Sequence, residues 1–471
     1  MGLAEVLSRA RLLTAARRSY VPHDLHAKQR AFLAMGQLEA LYGGAAGGGK
    51  SDALLAAALQ YVHVPGYAAL ILRRTFADLA LPDAIMARAK KWLDGTDAEW
   101  NEQRKAFTFP SGAILQFGYC DTAKDLARYK SAAFQFIGID ELTEWPEGWY
   151  RFLFSRLRRP RKLDVPLRMR GATNPDGLGQ EWVRLRFAIP LGEIIEGPIA
   201  SNDNARVFLP ARAEDNPSLD LEAYEESLKQ LGPQKYQQLR WGRWVRDAEG
   251  LVYAYDSQRN LLGAPLERDK TWKYILALDF GFVDSTAFVV LGWRPHDPTV
   301  YVIASFKRPK LTPSAVGAVV KGLEKDYKFS QIVGDVGGLG KAYAEEIKAR
   351  FRVPIEPAEK NNKRGYIELL NGDLQLGRLR LFPGNEAMVQ EWLVLPWDPE
   401  RRMPAEGFED HLADACLYGW RAAWAYTAKP EELPPPSPDA NPGKEEYLRR
   451  RKQERGTKQQ PSWRRGFRRA S

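Results

Sequence analysis

Two rhythms of apolar and polar positions run along the chain, and their order divides it in two. In the first part, short apolar runs of strand length alternate with stretches of helical period. Residues 38–43 predict a strand, 51–62 a helix and 68–73 a second strand, with further apolar strands at 113–118 and 134–139. Strand–helix–strand order predicts a parallel sheet with helices on its faces. Ahead of it, residues 4–18 read as a basic amphipathic helix and 21–28, containing Pro22, as a loop. From Trp272 the order changes. Closely spaced strands at 274–279, 287–293 and 300–306 predict an antiparallel meander. There follow a helix (313–327), strand (332–335), helix (341–351), strand (355–357), helix (364–376), strand (379–382) and a last helix (411–426).

A meander followed by alternating helices and strands is the order of RNase H-like folds. The expected fold class is therefore α/β throughout, in two domains. Residues 1–250 form the first, with an N-terminal helix and a small lid region; 251–271 form a linker, 272–427 the second domain, and 428–471 a flexible tail. The tail opens with Pro434-Pro435-Pro436, a stiff extended spacer.

At 471 residues, 44% hydrophobic and 27% charged, the chain has the composition of an ordinary globular protein and excludes a disordered or fibrous one. No apolar run approaches the roughly 18–20 residues of a membrane span. The N-terminus carries neither a signal-peptide apolar core nor the Ser/Thr of a myristoylation site. Two cysteines, Cys120 and Cys416, exclude a disulfide framework and fit a reducing compartment. Net charge is +10, but residues 441–471 hold 11 Lys/Arg against 3 Asp/Glu, a net of +8, which leaves +2 for the other 440. The basic tail suits a polyanion partner, or is a solvated end.

Gly44-Ala45-Ala46-Gly47-Gly48-Gly49-Lys50-Ser51 fits the P-loop pattern G-x-x-x-x-G-K-[ST], between a strand and a helix. Small residues, Gly44, Gly47, Gly48 and Gly49 among them, let backbone N–H groups wrap phosphates. Lys50 then reaches the β- and γ-phosphates and Ser51 ligates Mg²⁺. The strand 134–139 ends in Asp140-Glu141. There Asp140 would hold Mg²⁺, and Glu141 would orient and deprotonate the attacking water. Gln29 offers an amide for an adenine edge. Arg73, Arg74 and Arg128 are candidates for an arginine finger, with Arg128 slightly ahead. Thr173 and Asn174, after another strand, are placed to sense the γ-phosphate.

The second domain sets acids at element ends. Asp279 closes the first meander strand, Asp335 the first strand after the meander, and Asp410 and Asp414 flank His411 at the start of the last helix. In an RNase H-like fold the first and fourth strands are adjacent and the last helix crosses their ends. Acids from these places converge and would hold two divalent ions roughly 3.5–4 Å apart for phosphodiester cleavage. Individually they also read as solvated strand ends, Asp410 as a helix N-cap, and Asp284 as turn chemistry.

An ATPase block followed by an RNase H-like block is an uncommon pairing. From Asp24 to Tyr426 the residues resemble the large terminase subunit of tailed bacteriophages. The resemblance rests on the P-loop, Ile137-Gly138-Ile139-Asp140-Glu141-Leu142-Thr143, Ala172-Thr173-Asn174-Pro175, Glu214-Asp215-Asn216-Pro217, Leu239 to Trp244, Asp279-Phe280-Gly281 and His411-Leu412-Ala413-Asp414-Ala415. It implies a RecA/ASCE-like motor that uses ATP and Mg²⁺ to thread double-stranded DNA into a procapsid. It also implies a nuclease with two Mg²⁺ or Mn²⁺ that cuts concatemeric DNA. The implied partners are the portal protein, the small terminase subunit and further copies in a ring, with no membrane. The implied place is the host cytoplasm and, transiently, the portal vertex. Under this resemblance Ala172–Asn174 couples hydrolysis to movement, and Asp279, Asp335 and Asp414 are the metal ligands. His411 fits an H-x-x-D pattern of some members, and others carry the last acid at the place of Asp410. Two departures stand out: Lys130 where arginine or glutamine is usual, and a P-loop without arginine. The competing readings are a helicase-like ATPase–nuclease and an ATPase with a non-catalytic RNase H-like module. A helicase calls for a second RecA-like block, and residues 247–426 show none.

Overall fold

In the computed structural model the described residues are 20–245, 250–281, 285–295, 297–337, 339–400 and 402–427. The basic helix expected at 4–18, the turn residue Asp284 and the tail lie outside them. Among the described residues no helix is long and apolar enough to cross a membrane.

The first domain is built on nine strands: β1 (Glu39–Gly44), β2 (Ala68–Arg73), β3 (Glu99–Asn101), β4 (Ala106–Thr108), β5 (Ile114–Tyr119), β6 (Phe136–Asp140), β7 (Arg168–Thr173), β8 (Ile199–Ala200) and β9 (Arg206–Ala211). Their order is β3-β4-β5-β2-β6-β7-β1-β9-β8. The six strands from β5 to β9 are parallel, and β4 and β8 add antiparallel edges. Strands β1, β6 and β7 are buried along their whole length, as a parallel sheet covered on both faces demands. On one face the helix Lys50–Ala58 brings Leu54 and Leu55 into the core. On the other, Trp145, Trp149, Leu153 and Trp182 cover the sheet. Strand β7 lies between β1 and β6, the insertion expected of an ASCE-type sheet. Parallel strands end on one edge, so the P-loop, Asp140 and Thr173 come out side by side.

The second sheet joins β10 (Lys273–Asp279), β11 (Ser285–Trp293), β12 (Val300–Pro309), β13 (Phe329–Gly334), β14 (Glu356–Pro357) and β15 (Leu379–Leu381) in the order β14-β13-β10-β11-β12-β15. The β10–β11–β12 meander is antiparallel, and β13 runs parallel to β10, as an RNase H-like fold requires. Side chains alternate between two cores with the period of two that a strand imposes. Ile275, Ala277, Val289 and Leu291 face the last helix, His411–Thr427. Leu276, Leu278, Phe288 and Val290 face Val316, Val320 and Ile347 of the helices Pro313–Leu323 and Leu339–Phe351.

Residues 251–271 are not a free spacer. Val252, Tyr253 and Tyr255 are buried in the second core. Val252 N–H bonds Leu395 O at 2.9 Å, and Asn260 Nδ2 donates to Leu374 O and Leu379 O at 2.8 and 3.0 Å. The apolar pattern Leu-Val-Tyr-Ala-Tyr has a face to bury, and the second domain offers it. The short strands β3, β4 and β8 and the helices Leu221–Leu228, Pro233–Trp241 and Glu386–Val394 were not anticipated either. Through Val394, the last of these helices shares an apolar cluster with Trp145, Trp149 and Trp182 of the first domain. The helix beginning at Pro313 stops at Leu323, four residues short of the expected end.

Candidate functional site

Strand β1 ends at Gly44 with φ 118°, and the loop turns through Gly47 (φ 80°) and Gly49 (φ 69°) into the helix at Lys50. Glycine takes these angles without steric cost. A Cβ on Gly49 would also sit 2.7 Å from Gln29 Nε2. The ammonium of Lys50 is buried and bonds Ala45 O at 2.5 Å. Burial draws its pKa down, and the charges of Glu141, Asp140 and Asp176 oppose that. Ser51 Oγ donates to Asp140 Oδ1 at 3.3 Å.

Arg73, at the end of β2, completes the cluster. Its Nε is 3.1 Å from Asp140 Oδ2 and its guanidinium 3.6 Å from Glu141 Oε1. Glu141 holds a left-handed backbone, φ 55°, a strained state that clusters at functional turns. Burial, then the charge of Asp140, pushes its carboxyl up to about 7, the range of a base working at neutral pH. Arg128, slightly ahead among the finger candidates, instead pairs with Asp125 at 2.5 Å and lies 5.0 Å over the Tyr119 ring. Arg74 lies 4.6 Å over Trp149. Of the three, Arg73 is the one the sheet order brings to the acids.

Gln29 lies against the P-loop, but most of its amide is engaged. Nε2 donates to Gly49 O at 2.9 Å and Oε1 accepts from His26 N–H at 3.1 Å. One N–H and one lone pair remain for an adenine edge. The loop is braced from three further sides. Asn216 Nδ2 donates to Gly47 O at 2.9 Å, the Tyr42 hydroxyl to Gly48 O at 3.1 Å, and Ala46 N–H to Leu239 O at 2.8 Å. Thr173 is tied to the segment after Glu141: its Oγ1 lies 2.7 Å from Thr143 Oγ1 and accepts Thr143 N–H at 3.1 Å. The buried Oδ1 of Asn174 has no hydrogen-bond partner among the described residues, and toward a phosphate this side chain can donate only through its Nδ2 amide.

In the second domain Asp335 N–H bonds Leu278 O at 3.2 Å, so the ends of β13 and β10 lie together. Asp279 Oδ2 is 2.8 Å from His411 Nδ1, and this bond holds the imidazole up to about 9. Asp414, one turn along the last helix, is 2.7 Å from Lys363 Nζ and accepts from the Tyr418 hydroxyl at 3.4 Å. Asp335 pairs with Lys360. Burial, then the charge of Asp414, raises Asp410 to about 6. Burial raises the Tyr418 phenol, and the charges of Asp414, Asp279, Asp335 and Asp410 raise it further.

Among the described residues no group of three or more His, Cys, Asp or Glu is drawn together as a ready metal cage. The donor chemistry nevertheless fits Mg²⁺ or Mn²⁺: Asp279, Asp335 and Asp414 offer hard carboxylate oxygens from three elements. The Lys360 and Lys363 ammonium groups stand beside two of these acids, where cationic charge is needed.

Asp410 does not cap the last helix. Glu391 does, accepting Leu412 N–H at 2.8 Å and Ala413 N–H at 3.0 Å through one oxygen, while its other oxygen accepts from Lys307 Nζ at 3.0 Å. The carboxyl of Asp410 is thereby left to the acidic cluster. Glu391, Lys307, Lys360 and Lys363 escaped the sequence reading. Only Glu391 carried a signal, as an acid beside the apolar run Trp392-Leu393-Val394.

No family model matches the chain. A curated relative, the large terminase subunit of Escherichia phage T5, is 22% identical over 218 residues, which are 44% of this chain and 49% of that protein. The match thus spans about half the relative's length. Among solved structures, the HK97 bacteriophage large terminase aligns with a TM-score of 0.53 at 13% identity, over 88% of this chain and 99% of its own. The large terminase of a thermophilic bacteriophage aligns with a TM-score of 0.39 at 16% identity, over 84% and 98%. In sequence this chain resembles the large terminase subunits of tailed bacteriophages, and it shares their fold of a P-loop domain followed by an RNase H-like domain.

Proposed function

We propose that the chain is the motor and nuclease subunit of a phage DNA-packaging machine. It hydrolyses ATP to move double-stranded DNA into a procapsid and cuts the concatemeric genome. The observation that carries this reading is the presence of two separate sites in one chain. The first is a P-loop facing Asp140, Glu141 and Arg73; the second is a set of four acids on neighbouring elements, Asp279 ending β10, Asp335 just after β13, and Asp410 and Asp414 at the start of the last helix.

In the first site the loop N–H groups and Lys50 grip the nucleotide phosphates, and Ser51 and Asp140 take the accompanying Mg²⁺. Glu141 orients the attacking water and accepts its proton. Arg73 holds both acids in position beside the loop. The Thr143–Thr173 hydroxyl pair joins the Glu141 turn to Asn174, which supports a route by which phosphate loss reaches β7. In the second site Asp279, Asp335 and Asp414 would hold two divalent ions, with His411 orienting Asp279 and Asp410 adding negative charge. When bound, such ions activate water and stabilise the leaving oxygen of a phosphodiester. The partners of this reading are duplex DNA, the portal protein, the small terminase subunit and further copies in a ring at the portal vertex, in the host cytoplasm.

The pairing of Lys360 with Asp335 and Lys363 with Asp414 favours a second reading, in which these acids are structural and the domain only binds. One experiment separates the two. Supercoiled plasmid is incubated with the protein and Mg²⁺ or Mn²⁺, beside an Asp279→Ala variant, while ATP hydrolysis is followed in both. The nuclease reading expects metal-dependent nicking that the variant loses while it keeps its ATPase. Nicking that persists in Asp279→Ala, or manganese that leaves the melting temperature of the intact protein unmoved, sinks it.

A further inference from the structure

Residues 156–162, Arg-Leu-Arg-Arg-Pro-Arg-Lys, place five cations in seven positions, and Asp164 is the single acid between Glu147 and Asp176. This segment joins the helix Glu147–Phe154 to β7. Arg158, Arg159, Arg161 and Lys162 are exposed, and Arg156 is half-buried. Phe134 N–H bonds Arg156 O at 3.0 Å and Arg158 N–H bonds Phe134 O at 3.1 Å, which ties the segment to the residues before β6. The guanidinium of Arg158 donates to Ser131 O and Ala132 O at 3.3 and 3.1 Å, which sets the exposed Lys130 next to the cluster. Arg159 donates to Val165 O, and Arg156 Nε to Ser155 Oγ at 3.0 Å. Carbonyl and hydroxyl oxygens orient these guanidinium groups without cancelling their charge.

Residues 1–440 carry a net charge of only +2, and residues 156–164 contribute +4 of it, so the remainder is net negative. Within residues 1–440 the positive excess therefore sits here, on a segment held by the fold. The segment lies beyond the starts of β6 and β7, the edge of the sheet opposite Asp140 and the P-loop. A polyanion held there leaves the nucleotide cleft free.

We propose that this segment, with Lys130, is a surface for the phosphate backbone of double-stranded DNA. The inference rests on the packaging reading and names where that motor would touch its substrate. Duplex DNA carries one charge per roughly 1.7 Å of axis, a density that cations spaced this closely along a chain can match. The planar fork of arginine suits phosphate oxygens. Contacts of this kind read no sequence and slide, as a translocating motor requires.

The test is the salt dependence of binding to a random-sequence duplex, measured with the full chain so that the basic tail is present in every protein compared. The variants are Arg158→Gln/Arg159→Gln/Arg161→Gln/Lys162→Gln together and a charge-keeping set, Arg158→Lys/Arg159→Lys/Arg161→Lys. Each phosphate contact contributes about 0.9 to the slope of log affinity against log salt. The glutamine set is expected to lower that slope by roughly three to four units and to weaken binding uniformly across sequences. The lysine set is expected to keep the slope, which separates charge from misfolding, and thermal melting of both sets confirms that they fold. A glutamine set that matches the unaltered chain in affinity and slope overturns this inference and leaves the packaging reading standing. An unaltered chain that binds no duplex overturns both.

Discussion

The two acidic clusters of this chain are assembled in opposite ways. Asp140 and Glu141 are neighbours in sequence, at the end of one strand, and the Lys50 and Arg73 that balance them follow or end strands of the same parallel sheet. Asp279, Asp335, Asp410 and Asp414 come from three segments spread over more than a hundred residues, and the Lys360 and Lys363 beside them come from yet another. The first cluster is held by backbone turns: glycines at positive φ, a strained Glu141 and bonds to the P-loop carbonyls. The second depends on one buried carboxylate, Glu391, which fixes the start of the helix carrying two of its acids. A compact motif tolerates change elsewhere in the chain. A dispersed one is exposed to any change that moves a helix.

The sharpest break of that comparison comes from removing one member of each site. Lys50→Ala should cut ATP hydrolysis by roughly 10²–10³-fold, as the loss of a charge-stabilising group does, while plasmid nicking persists. Asp279→Ala should show the reverse pattern. Parallel loss of both activities in either variant would mean that the sites do not work independently.

Glu391→Gln comes next. It weakens acceptance from two N–H groups and from Lys307 in a buried setting, with an expected cost of about 1.5–3 kcal/mol. Thermal unfolding should therefore fall by several degrees and nicking should decline, with ATP hydrolysis changed far less. An unchanged melting temperature would show that the last helix does not need this cap.

Arg73→Gln should lower ATP hydrolysis roughly tenfold by freeing both acids from their clamp, and Arg128→Gln should leave hydrolysis by the isolated protein near its original rate. If Arg128→Gln proves the more damaging in single-turnover assays, the finger works differently from what this sheet edge suggests.

The smallest effect is expected from Lys363→Met. Removing a cation 2.7 Å from Asp414 strengthens its attraction for another cation. Manganese titrated against nicking should then half-saturate at a roughly three- to tenfold lower concentration. A higher requirement would identify Lys363 as a group that helps hold the site or its substrate.

Much of the fold was legible because strands advertise themselves. Strands β1, β2, β6, β10 and β11 are apolar runs whose burial in the sheet follows from their composition, and the order of elements separated a parallel from a mixed sheet. The short β3, β4 and β8 left little trace: three residues or fewer, on sheet edges, are held by pairing with neighbours more than by their own side chains. The helix Glu386–Val394 was missed although its residues Met388, Trp392 and Val394 are buried, because its apolar face is divided between two domains.

The sequence by itself determined what is encoded within a few residues. The P-loop is a backbone shape written in its own glycines, Asp140-Glu141 is a pair by adjacency, and the acids of the second domain fall at two strand ends and a helix start that apolar patterning marks. Only the tertiary structure decided which distant groups meet them: Arg73 over Arg128, Glu391 over Asp410 as the cap, Lys360 and Lys363 beside the acids, and 251–271 packed into a core. The physical reason is that such pairings depend on strand order and helix placement. Those follow from the burial of whole elements, a sum over many residues that no local spacing records.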